Sequence, residues 1–189
     1  DFIKVKFHKN EGLKPYQKII GQVVISLVIA VYVYLNIGGK LEFFGLNIDL
    51  GAFIIPFIVF FFVAVTNSVN LIDGLDGLAG GVNSAYFLFF GLILVLLGQT
   101  EYALISFASV GALLAFLIAN CFPAKIFMGD TGSLALGGLM ASVAALSSTE
   151  LLMPIIGLMF VVTAVSDIVQ VLHYKRTHKR VFLMAPLHH

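Results

Sequence analysis

Six apolar runs, several close to the twenty residues that an α-helix needs to cross a hydrocarbon layer, constrain this chain more than any other feature. They run approximately Ile19 to Ile37, Ala52 to Val65, Leu78 to Leu97, Ala103 to Phe122, Leu134 to Leu146 and Leu151 to Leu172. A membrane β-barrel would show alternating segments of about ten residues instead of continuous runs. Sixty per cent of the 189 residues are hydrophobic and only 11% are charged, with a mean hydropathy of +1.03. A soluble domain is typically about 45 to 50% apolar. The chain therefore predicts an all-α, polytopic membrane helix bundle of about six spans in a single domain, residues 1 to 189. Cys121 is the single cysteine, which excludes an internal disulfide, and no leader of the basic, apolar, small-residue type is visible.

Threading six spans assigns the connections alternately to two sides. One side holds Asp1 to Lys18, Asn67 to Gly77, Pro123 to Ser133 and His173 to His189. The other holds Gly38 to Gly51, Gly98 to Tyr102 and Ser147 to Glu150. Of the 11 basic residues, only Lys40 falls on the second side. The positive-inside rule makes the first side cytoplasmic. Gly38 to Gly51, with Leu41, Phe43, Leu46 and Ile48, can form a short hairpin on the outer surface.

The polar residues on the basic side are concentrated in motifs. Ionisable groups beside hydrocarbon cost roughly 2.5 to 3.5 kcal/mol each at a helix centre, so they usually mark a site. Asn67, Asn70 and Asp73 recur every three residues and share a helical face until Gly74 and Gly77 release the backbone, with Asp76 in the turn. A plain helix cap needs one such residue and this segment supplies four. Carboxylate and carboxamide oxygens suit Mg²⁺ held together with substrate phosphates. In the second motif, Pro123 to Ser133, Asp130 stands between glycines and Thr131 or Ser133 can cap the next helix, whose N-terminus favours a phosphate. Gly-Asp-Thr-Gly alone also suits a simple turn. Asp167, Gln170 and Tyr174 lie along one face of the last span, lining a polar cavity or pairing with the basic loop. The cluster Lys175 to Arg180 is a topology anchor or a lipid attraction, and precedes an apolar stretch ending in His188 and His189.

Asn67 to Gly81, Ala124 to Gly138 and Phe182 to His189, with the opening Asp1 to Val5 and Gly12 to Lys18, resemble the polyprenyl-phosphate N-acetylhexosamine-1-phosphate transferase superfamily. Within it the chain is most similar to the phospho-N-acetylmuramoyl-pentapeptide transferase branch. The family pattern has an Asp-Asp pair where this chain starts with one Asp, a third His after His189, and further helices on both sides. The resemblance thus implies an excerpt of a roughly ten-helix enzyme, lacking its N-terminal helices and last helix.

What the resemblance implies is transfer of phospho-MurNAc-pentapeptide from UDP-MurNAc-pentapeptide to undecaprenyl phosphate, giving lipid I and UMP with Mg²⁺ as cofactor, at the cytoplasmic face of a bacterial inner membrane. It gives catalytic roles to Asp1, Lys18, Asp73, Asp130, His188 and His189, and the metal to Asp130 and Asn70. Substrate contacts go to Asn67, Asn70, Gly74, Leu75, Asp76, Asn120, Phe127 and Gln170, with the Phe127 ring stacking on uracil. Membrane lipid, nucleoside inhibitors and a homodimer are further partners implied, and nucleic acid is not. Phe57 to Phe62 and Phe87 to Leu97 can border a groove for the lipid tail. Two alternatives stand beside this: a GlcNAc-1-phosphate transferase for another glycan, and an ion-coupled transporter, which would spread its acids through the membrane depth.

Overall fold

The computed structural model describes residues 14–43 and 46–186. Asp1, His188 and His189 lie outside the described residues. Helix α1 spans Pro15–Asn36, and a proline at its start fits because that position needs no N–H partner; the Gln17 side chain accepts from the Lys14 N–H at 2.9 Å. Strands β1, Lys40–Phe43, and β2, Leu46–Asp49, pair antiparallel with Lys40 opposite Asp49. This is the expected hairpin. A 3-10 turn, Gly51–Phe53, leads into α2, Ile54–Ile72. Then follow α3, Leu78–Leu96, α4, Thr100–Asn120, α5, Gly129–Leu146, the single turn α6, Met153–Ile156, and α7, Leu158–Thr177.

The protein is a multi-pass membrane helix bundle. Among the described residues, five helices are long and apolar enough to cross a membrane: α1, α2 with its 3-10 turn, α3, α4 and α7. The sixth expected span is α5, an 18-residue helix dominated by Gly, Ala and Ser. It still runs from one end of the bundle to the other. Asp130 in its first turn meets Lys18, while at its far end Gln99, from the α3 to α4 turn, donates to the Ser147 carbonyl at 3.0 Å. Helix α5 is less apolar because its neighbours, not lipid, cover it.

Small residues on α5 allow a close approach to α2. A Cβ added to Gly137 would come within 2.7 Å of Thr66 Cα and 3.2 Å of Val69 Cβ. Helix α1 packs against α2 and also touches α5, α3 pairs with α4, and α7 lies along α2. The main core joins Phe61, Phe62, Val69, Phe87, Phe90 and Met140, and a smaller one buries Leu41 of the hairpin with Val33, Ile54 and Ile58. Phe87, Phe90 and Leu94 are therefore core residues, whereas Leu96 and Ile118 face outward at 84% and 86% exposure.

Helix α2 continues past the apolar run to Ile72, so Asn67 and Asn70 lie on the helical face that their three-residue spacing predicts, and both find partners on neighbouring helices. One boundary differs from the sequence expectation. The run Leu151 to Leu172 breaks at Gly157. Pro154 opens the short helix, and a Cβ at Gly157 would lie 2.9 Å from Phe160 Cδ2 and 3.0 Å from the Met153 carbonyl oxygen.

Candidate active site

Three helices deliver the polar groups to the basic end of the bundle. Lys18 occupies the first turn of α1, Asn70 the last turn of α2 and Asp130 the first turn of α5. The Lys18 ammonium pairs with Asp130 Oδ2. Asn70 Nδ2 donates to Asp130 Oδ1 at 3.1 Å and to Ser133 Oγ at 2.8 Å, and Ser133 Oγ donates to the Gly129 carbonyl at 3.0 Å. Ser133 therefore does not cap α5. That helix starts four residues earlier, at Gly129, with Met128 at its N-cap and no side-chain cap hydrogen bond, so the expected Thr131 or Ser133 cap is replaced by a bond across to α2.

Asp73 ends α2, where the backbone leaves the helix. Burial raises its pKa above the usual 3.8; a hydrogen bond from the Gly129 backbone opposes that shift and the negative charge of Asp130 adds to it. Asp73 then opens a pocket of about 180 Å³ lined by Gly74, Leu75, Asp76, Asn120, Phe127 and Gly129. The sequence motifs on separate loops thus form one cavity, with Phe127 at 75% exposure on its rim.

The wall of this cavity is built by side chains that bridge loops. Asn120 Oδ1 accepts from the Gly77 N–H at 3.0 Å, and its Nδ2 donates to the Ile126 carbonyl at 2.8 Å. Asp76 Oδ2 accepts from the Ala124 N–H at 3.0 Å. Gly77 sits at φ 75°, a conformation that favours glycine. Together these bonds tie residues 73–77 to residues 120–127.

Two expected pocket residues are held elsewhere. Asn67 Nδ2 donates to Gln22 Oε1 of α1 and to the Val63 carbonyl, both at 2.8 Å. Gln170 Oε1 accepts from the N–H groups of Val181 and Phe182 at 3.0 Å each, fastening the segment after α7 to that helix. Sequence reasoning missed Ser133 and Gln22 as site neighbours. The available signals were Ser133 at i+3 from Asp130 and Gln22 at i+4 from Lys18, a carboxamide inside an apolar run.

The donors fit a hard divalent cation. Asp130 and Asp73 offer carboxylate oxygens and Ser133 a hydroxyl, Asn70 carries a carboxamide oxygen on the same side chain whose nitrogen holds Asp130 and Ser133, and two acids that repel one another gain from a positive charge beside them. Among the described residues no group of three His, Cys, Asp or Glu gathers into a complete metal cage. A site with one or two carboxylates that relies on water and substrate phosphate for its other ligands is the usual magnesium arrangement.

Known proteins are similar to this chain along its whole length. Proteins named phospho-N-acetylmuramoyl-pentapeptide-transferase from Caldanaerobacter subterraneus subsp. tengcongensis and from Clostridioides difficile strain 630 are 44% and 45% identical to this chain over 191 and 196 residues. One of the same name from Thermoanaerobacter sp. strain X514 is 48% identical over 191 residues. Each alignment covers 100% of this chain and 60% of the relative, so the chain spans about 60% of their length. The family model described as glycosyl transferase family 4 matches residues 9–148. The helices, loops and convergent acids described above fall largely inside that match, and the chain belongs to glycosyl transferase family 4.

Proposed function

We propose that the full-length protein transfers phospho-MurNAc-pentapeptide from UDP-MurNAc-pentapeptide to undecaprenyl phosphate, producing lipid I and UMP at the cytoplasmic face of a bacterial membrane. The observation that carries this is the meeting of Lys18, Asn70 and Asp130 beside the pocket of Asp73 and Asp76, at the membrane edge where the basic residues collect.

The chemistry joins two highly charged phosphates, so positioning and charge neutralisation dominate. An oxygen of the lipid phosphate forms a bond to the β-phosphorus of the nucleotide sugar. The bond from that phosphorus to the α,β-bridging oxygen breaks, and UMP leaves with the electron pair. Lys18 balances charge beside the diphosphate, and Asn70 orients Asp130. The pocket of Gly74, Leu75 and Phe127 accepts the uridine, with the Phe127 ring free to stack on the base. Mg²⁺ bound at Asp130 and Asn70 would neutralise phosphate charge.

A membrane-embedded acceptor also needs an apolar channel. Between α2 and α7 lies a groove of about 270 Å³, lined by Phe57, Phe60, Phe61, Pro154 and Phe160 and reaching Ser68, two residues before Asn70. A polyprenyl tail lying there would bring its phosphate to the polar end.

UMP release by the full-length protein, measured with UDP-MurNAc-pentapeptide and with UDP-GlcNAc, each with and without Mg²⁺, tests the proposal. Release dependent on undecaprenyl phosphate and on the MurNAc substrate is expected. Turnover of UDP-GlcNAc alone would move the protein to another glycan, and a burst of UMP without lipid acceptor would replace direct attack by a covalent intermediate.

A further inference from the structure

We propose that Gln22 is a positioning residue of this site, whose bond to Asn67 sets the register between α1 and α2 at which Lys18 meets Asp130. The proposal rests on the reading that Lys18 and Asp130 serve the transfer reaction.

Gln22 lies inside the apolar span of α1 and is only 7% exposed. Its Oε1 accepts from Asn67 Nδ2 at 2.8 Å, and among the described residues this is the one side-chain hydrogen bond joining α1 to α2. The other buried residues of α1 are Ser26, Ala30 and Val33. Ser26 spends its hydroxyl on its own helix, at the Val23 carbonyl, and the remaining two are apolar. Apolar packing constrains two helices through shape alone, whereas a hydrogen bond adds a direction and a length. The Gln22 to Asn67 bond is therefore the contact that selects one register.

Stability does not explain why a glutamine stands here. Among the described residues Gln22 Nε2 is buried without a partner, and an unmatched donor away from water is a cost. Asn67 Nδ2 has two N–H groups: one keeps the Val63 carbonyl when Gln22 is lost, and the other, on a half-buried side chain, is left to water. A leucine at position 22 would remove the unmatched donor and leave Asn67 one of its two bonds, the one to the Val63 carbonyl. What the leucine would lose is direction. Lys18 is one helical turn before Gln22, about 6 Å along the axis on the same face. A slip of one residue would rotate α1 by about 100° and take the ammonium off Asp130.

The experiment uses the full-length protein. In Gln22→Leu, kcat for UMP release should fall about ten- to a hundredfold while KM for the nucleotide sugar stays within about twofold and the thermal midpoint holds or rises. Gln22→Asn shortens one partner and should lose activity; adding Asn67→Gln restores the reach and should recover most of it. A merely structural role predicts that kcat falls only together with the thermal midpoint, and either that pattern or an unchanged kcat overturns the proposal, as does failure of the swap to rescue.

A second measurement needs no activity. Lys18→Cys and Asp130→Cys, with the other cysteines replaced by serine, should be joined by a short homobifunctional thiol cross-linker that spans the former ion pair, and adding Gln22→Leu should slow that reaction at least about fivefold, since a slip of one residue turns position 18 away from α5 by about 100°. An equal cross-linking rate sinks the proposal. If the parent protein releases no UMP from any nucleotide sugar, the transfer function fails on its own while the cross-linking comparison still decides the register.

Discussion

Asn70 donates its side-chain amide to Asp130 Oδ1 at 3.1 Å across 60 residues of sequence. One carboxamide on α2 thus orients an acid at the start of α5, and the same amide binds Ser133 one turn further along α5 at 2.8 Å. The pair fixes the direction of a carboxylate whose other oxygen is paired with Lys18.

Asp130→Asn keeps this shape and removes the charge. Lys18 and Asp130 are 27% and 55% exposed, so screening limits the ion pair to at most about 1 kcal/mol of stability. UMP release by the full-length protein should fall about a hundredfold or more, while the thermal midpoint moves by only a few degrees. Parallel loss of both would mean that Asp130 is structural.

Asn120→Ala unties two loops at once. The Gly77 N–H and the Ile126 carbonyl would each lose a partner, at a cost of roughly 1 to 3 kcal/mol per unsatisfied group when buried. Because Phe127 follows Ile126, the expected readout is a KM for the nucleotide sugar raised about tenfold with a smaller change in kcat. A KM equal to that of the parent protein would contradict the bridging role.

Gly137→Ala and Gly138→Ala should separate two neighbouring glycines. A methyl at position 137 meets Thr66 Cα at 2.7 Å, which is backbone and cannot step aside, whereas at position 138 the nearest atom is Phe62 Cζ at 3.4 Å. Overpacking of this kind costs about 1 to 3 kcal/mol. Gly137→Ala should lower the thermal midpoint and weaken UMP release by parting α2 from α5. Gly138→Ala should leave both close to the parent values.

Glu150 makes stability depend on pH. It lies in the turn between α5 and α6, is 2% exposed, and its Oε2 has no partner among the described residues. Burial pushes its pKa from 4.5 up to about 7, against a hydrogen bond from its own backbone. Because the folded state holds the proton more tightly, this group favours folding below about pH 4.5 and the contribution is lost as pH rises through about 7. The full span corresponds to at most about 3 kcal/mol. The thermal midpoint of the parent protein should therefore fall between pH 5 and pH 7.5 by more than that of Glu150→Gln, and identical pH profiles would refute the assignment.

Much of the architecture was legible in the residues. The apolar runs placed the helices, the basic residues separated the two ends, and Gly38 to Gly51 marked the hairpin. The residues themselves singled out the loops carrying Asp73, Asp76 and Asp130, the family resemblance added Asn120 and Phe127, and the structure gathers Asp73, Asp76, Asn120 and Phe127 around one cavity with Gly129, next to Asp130. Less legible were the uses of individual amides. Asn67 and Gln170 have the composition of pocket residues, yet one braces α1 and the other ties down residues 181 and 182.

The residue order alone determined which segments enter the membrane and on which side the acids collect, because hydrocarbon burial and charge placement act on each segment separately. The tertiary structure decided which polar groups touch. A spacing of three residues puts Asn67, Asn70 and Asp73 on one face at any rotation of the helix. Only the close crossing of α5 over α2 at Gly137 and Thr66, with the register of α1 beside them, turns that face toward Ser133, Asp130 and Lys18.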